Sequence, residues 1–167
     1  MLLTLTACSP APTDAGPSAA ASTSGRTAGC AASPTADPVD VAGQIGERGE
    51  TDFGSVFAGA RVGDEGVDVY RKPSADFDRW VLADFAASCV LLHDAKFSGA
   101  ELAQWYQEVN DDNAYWASQG VTVNSVSSDF VRGVVVVGTS EADKARPLFA
   151  AKYGAGVPVE VVNEAPA

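Results

Sequence analysis

Histidine occurs once in this chain, methionine once and cysteine three times. One histidine with cysteines scattered at 8, 30 and 89, none in C-x₂₋₄-C spacing, is a poor match to the usual zinc ligand sets. Basic residues are scarce too: 11 Lys and Arg against 22 Asp and Glu give a formal charge of −11, so most of the surface repels a phosphate backbone and nucleic acid is a poor match as partner. No apolar run approaches the ~20 residues a helix needs to cross a bilayer. The glycines fall singly in turns and form no phosphate-cradling loop, and there is no G-x-S-x-G elbow. The nearest approach to a hydrolytic triad is His93 beside Asp94, with Ser88 or Ser98 to complete it. A histidine near a strand end usually meets solvent, and that is the expectation for His93. Asn110, Asp111, Asp112 and Asn113, with Glu108, form the densest group of oxygen ligands, a class calcium favours. They lack the alternating D-x-D-x-D-G spacing that wraps a loop round the ion, so a solvated helix break is expected. No catalytic residue, cofactor or metal is predicted.

The chain opens differently from its remainder. Leu5-Thr6-Ala7-Cys8 places a branched aliphatic residue three positions before a cysteine and small residues between them. This LTAC tetrapeptide resembles the lipobox of bacterial lipoproteins, in which the cysteine sulfur receives a diacylglyceryl group and a peptidase cuts before it. The resemblance implies lipidation at Cys8, the end of a truncated signal over 1–8, and an extracytoplasmic, membrane-anchored location. Residues 1–7 carry no Lys or Arg and little apolar length, so the expectation is an initiator upstream. Ala28-Gly29-Cys30 also places small residues before a cysteine, but no apolar run precedes it.

Residues 9–46 are mostly Ala, Ser, Thr, Pro and Gly, with too little large apolar side chain to offset the entropy of folding. They are read as a disordered tether. With Cys8 assigned to lipid, Cys30 and Cys89 remain as an even pair in an oxidising compartment, and a disulfide between them is predicted.

The folded part is read as an α+β domain over 47–167. Short β-type runs flank Gly63-Asp64-Glu65-Gly66, which is turn chemistry. After Pro73, Ser74 is positioned to cap a helix in which Phe77, Val81 and Phe85 recur every four residues. A strand from Cys89 follows. Ser98-Gly99-Ala100-Glu101 is a capping box, followed by Leu102, Trp105, Tyr106 and Val109 at helical spacing. A second hairpin, helix and strand complete the chain. Displacement by 67 positions lays Gly66 on Gly133, Val67 on Val134, Val69 on Val136, Arg79 on Arg146 and Val90 on Val157 without a gap. Two ββαβ modules, about 51–97 and 120–164, are therefore expected, joined by a helical segment over 98–119 and packed on an antiparallel or mixed sheet. At this offset Val134 and Val136 face the core, which leaves Val135 and Val137 outward as a possible interface.

As a whole the chain resembles the small lipoproteins of high-GC Gram-positive bacteria. The pieces VDVYRKPSADFD, YWASQGV, VVVVGT and KYGAGVPVEVV are similar to an uncharacterised family of secreted proteins from such bacteria, which brings no activity with it. The paired hairpin-helix-strand layout resembles, at the level of fold, pro-regions of secreted serine proteases. These likenesses imply a noncatalytic module that binds a protein or cell-wall partner, or else an inhibitor or folding helper of a secreted protease. An unrecognised hydrolase is the third expectation.

Overall fold

The computed structural model of the chain describes residues 25–32 and 36–166. Cys8 lies outside them, as does most of the stretch read as tether. The described part is an α+β fold built on two three-stranded mixed sheets. No helix among the described residues is long and apolar enough to cross a membrane.

The first unit begins with helix α1 (Pro38–Phe53). Asp37 caps it by accepting a hydrogen bond from the Val39 amide (2.8 Å), and Pro38 occupies the first turn, where its missing N–H costs nothing. Val41, Ile45 and Gly49 recur every four residues and form its buried stripe. This helix starts inside the stretch read as tether. The low apolar content of 38–46 misleads, because two aliphatic side chains on one stripe suffice when a sheet receives them.

Strand β1 (Phe57–Val62) pairs antiparallel with β2 (Val67–Arg71), helix α2 (Ala75–Asp84) crosses over, and β3 (Val90–Asp94) returns parallel to β2. Ser74 caps α2 through the Phe77 amide. Val67, Val69, Val90 and Leu92 share one sheet face and pack with Val41 and Ile45 of α1 and with Phe77, Trp80 and Val81 of α2.

The second unit repeats this order. Helices α3 (Gly99–Asp111) and α4 (Asn113–Ser118), broken at Asp112, precede β4 (Ser125–Asp129), β5 (Val134–Thr139), α5 (Ala142–Tyr153) and β6 (Val159–Asn163). Again the hairpin is antiparallel and the crossover strand parallel. Val135, Val137 and Val161 pack with Val109 of α3, Trp116 of α4 and Phe149 of α5, and the Trp116 and Phe149 rings stack with centroids 3.8 Å apart. The segment over 98–119 thus covers the second sheet as α1 covers the first. The repeating unit is αββαβ.

The offset needs a correction with consequences. The hairpin turns do match at 67, Gly63–Gly66 against 130–133, with Gly133 at a φ of 66° that a side chain would resist. The cores do not. Val67 pairs with Val90 and Val69 with Leu92, whereas Val135 pairs with Val159 and Val137 with Val161. The second sheet is therefore offset by 68 in β5 and 69 in β6. A one-residue slip exchanges the two faces of a strand, so Val135 and Val137, both 0% exposed, are core residues and not an interface.

Candidate functional site

Residues 25–31 return to the first sheet as a strap along the outer edge of β3. Leu92 N donates to Gly25 O (2.8 Å) and Thr27 N donates to Val90 O (3.0 Å), with Arg26 opposite Leu91 in an antiparallel bridge. Thr27 is buried; its Oγ1 donates to Ser88 O and accepts from Val90 N. A short 3-10 turn, Ala28–Ala31, brings Cys30 to the start of β3, where it is joined by a disulfide to Cys89 across a sequence separation of 59. Gly29 lies so close to the Ala87 and Ser88 backbone that a Cβ there would meet Ser88 O at 2.4 Å. The expected disulfide does join Cys30 to the start of this strand; the pairing of residues 25–27 along its edge was not foreseen, and Cys30 was its one signal.

The opposite face of the first sheet carries the polar groups. His93 stacks on Tyr70 (4.8 Å) and its Nε2 lies 2.9 Å from Asp68 Oδ1, while Arg61 Nε donates to Asp68 Oδ2 (3.3 Å). Phe130, from the turn of the second hairpin, meets Tyr70 edge-on (5.6 Å) and fills the space above Gly59, where a Cβ would fall 2.6 Å from the ring. Sequence reading paired His93 with Asp94. Residues adjacent on a strand point to opposite faces, so His93 meets Asp68 instead and Asp94 binds the guanidinium of Arg71. Ser98, buried, accepts from the Glu101 amide as the cap of α3, and Ser88 serves the strap through its carbonyl. The four residues of the imagined triad are thus dispersed among four different tasks.

Asp112, the centre of the expected oxygen cluster, accepts from Tyr153 Oη (2.8 Å) and pairs with Lys152 (3.2 Å). Burial, reinforced by this carboxylate, holds the Tyr153 phenol well above its ordinary range. Among the described residues no three His, Cys, Asp or Glu side chains come together in a way that could hold a metal. An open groove of about 350 Å³ runs between the end of α1 and the start of α3; Glu50 is the ionisable residue in its lining, beside Phe57, Ala58, Gly99 and Ala103. No protein-family model matches the chain, and no curated protein matches it.

Proposed function

We propose that this chain is an extracytoplasmic lipoprotein, held at the membrane by a lipid on Cys8, whose folded part is a noncatalytic module binding a protein or a cell-envelope component. The observation that carries the reading is the disulfide. Two of the three cysteines are joined, which fits an oxidising compartment and leaves Cys8, within LTAC, as the remaining thiol. The binding role is supported by how the polar side chains are used: His93, Asp94 and Ser98 each serve a structural pair or cap, and none faces another in a nucleophile-base arrangement.

Expression behind a complete lipoprotein signal peptide in a Gram-positive host, with a clickable fatty acid in the medium, tests the anchor. The protein should be labelled and recovered with membranes, and Cys8→Ser should abolish both. An unlabelled, soluble pool identical in the two forms would overturn the reading. Cross-linking on intact cells then tests the module by the partner it captures.

A further inference from the structure

The two units are alike except at one edge. In the first, the strap occupies the outside of β3 through Val90 O, Val90 N and Leu92 N. In the second, β6 holds the same place, with Val159 matching Val90 and Val161 matching Leu92 by their partners on the neighbouring strand. Val135 N donates to Pro158 O and Glu164 N donates to Thr139 O, so the even-numbered residues of β6 face β5. The main-chain groups of Val159, Val161 and Asn163 therefore point outward. Two of these groups have local partners: Val159 N donates to Val157 O (2.9 Å), and Arg146 Nε donates to Val161 O (3.2 Å). Val159 O and Val161 N, the counterparts of the strap-bonded Val90 O and Leu92 N, have none among the described residues, and no described strand pairs with this edge.

A groove of about 300 Å³ runs alongside, between α5 and β6, lined by Arg146, Phe149, Tyr153, Val157 and Val159. Its equivalent in the first unit receives Gly25, whose helix-side neighbours are Leu82 and Leu92. At the core offset of 68, Leu82 corresponds to the smaller Ala150, and Phe149, Val157 and Val159 give the second groove an apolar lining. On the other face, the residue matching Leu91 is Glu160, which pairs with Arg132 through one carboxylate oxygen and stands opposite the position Arg26 takes in the strap.

The geometry points to β6 as an acceptor edge for an extended segment of a partner protein, running antiparallel as the strap does on β3, with an apolar residue in the α5–β6 groove followed by Arg or Lys opposite Glu160. Main-chain bonds supply the register and the two side chains the selectivity. A cationic occupant also suits a chain of net charge −11, whereas a second copy of the chain would bring the same negative charge to this edge. The inference specifies the binding role proposed above and rests on it.

The test is an NMR titration of the full chain carrying Cys8→Ser, oxidised and isotopically labelled, with a heptapeptide of residues 22–28 bearing Gly25→Leu. Amide shifts should concentrate at 157–163 and be largest at Val161. An Arg26→Glu peptide should bind about fivefold more weakly, because it trades an opposite-charge pair for a like-charge one. Arg146→Ala in the protein frees Val161 O and should tighten binding about threefold, the worth of a modest hydrogen bond. No shift at millimolar peptide, shifts confined to another surface, equal affinity for the two peptides, or dimerisation through β6 without peptide would each overturn the assignment. Because the titration uses unanchored protein, its failure removes β6 as the site and leaves the anchored module to the fractionation and cross-linking above.

Discussion

The guanidinium of Arg71 is fully buried at the end of β2, on the same face as Val67 and Val69, and is held by Asp78 from α2 and by Asp94 from β3. Asp78 accepts from Nε and Nη2, so its removal takes two charge-assisted hydrogen bonds from a buried guanidinium. Asp78→Ala should therefore cost about 3–5 kcal/mol in urea unfolding, while Arg71→Met combined with Asp78→Leu should recover much of that loss. Alternation along VDVYR places Arg71 on the inward face with Val67 and Val69, but the convergence of Asp78 and Asp94 on it depends on tertiary structure. Glu101 gives the pH dependence. Its bond from the Ser98 amide (2.7 Å), with Lys72 nearby, holds its carboxyl below the usual range. A depressed folded value means stability that is present above the ordinary carboxylate range and lost as pH falls through the folded value. Thermal melts should thus show Glu101→Gln destabilising at neutral pH and progressively less so as pH falls through the folded value, below which both forms lack the charge; a loss that does not change with pH would contradict this. The capping box was legible in the sequence because its partners are three residues apart, whereas the Lys72 contact depends on tertiary structure.

At the scale of elements, the strap and α1 were the least legible parts of the fold. Neither has the composition of a folded segment: 25–31 is small and polar, and the α1 stripe shows its meaning only when Asp37-Pro38 is taken as a helix start. The strap is secured by the disulfide more than by burial of apolar surface. Cys30→Ser with Cys89→Ser should lower stability by about 3–4 kcal/mol, the scale for a loop of this length, and accelerate hydrogen exchange at the Leu92 amide well before the rest of β3. Unchanged protection at Leu92 would mean that Thr27 and Gly29 hold the strap unaided. The second hairpin shows a different limit. Its residues VVVVGT suit either register equally well, so nothing local in them distinguishes Val135 and Val137 from Val134 and Val136; the choice is made by pairing with β6 and by contact with Trp116 and Phe149.

At the scale of the molecule, the two ββαβ modules and the helical segment between them were legible in the sequence, whereas the register that relates their cores and the helix α1 before the first module were not. The two cores are separate clusters that meet where Phe130 covers Gly59 and Tyr70, and where Gly99 at the start of α3 lies against the Ala58 carbonyl. Gly59→Val should push the Phe130 ring away and leave each core intact, so calorimetry should resolve two unfolding steps in that variant where the parent shows one. A single transition with an unchanged midpoint would mean that the helix contact alone couples the units. The disulfide has a mechanical consequence as well. Tension applied through the chain preceding Gly25 first peels the strap's few hydrogen bonds from β3 one at a time, then arrives at Cys30–Cys89 and passes covalently into the start of that strand. If the domain is gripped at β6 while its other end is pulled, the 59-residue span from Cys30 to Cys89, α1 and the first hairpin included, is bypassed by the force. About a third of the chain is then a shielded spool that cannot be drawn out, and the extension available under pull is limited to the strap and the residues after Cys89.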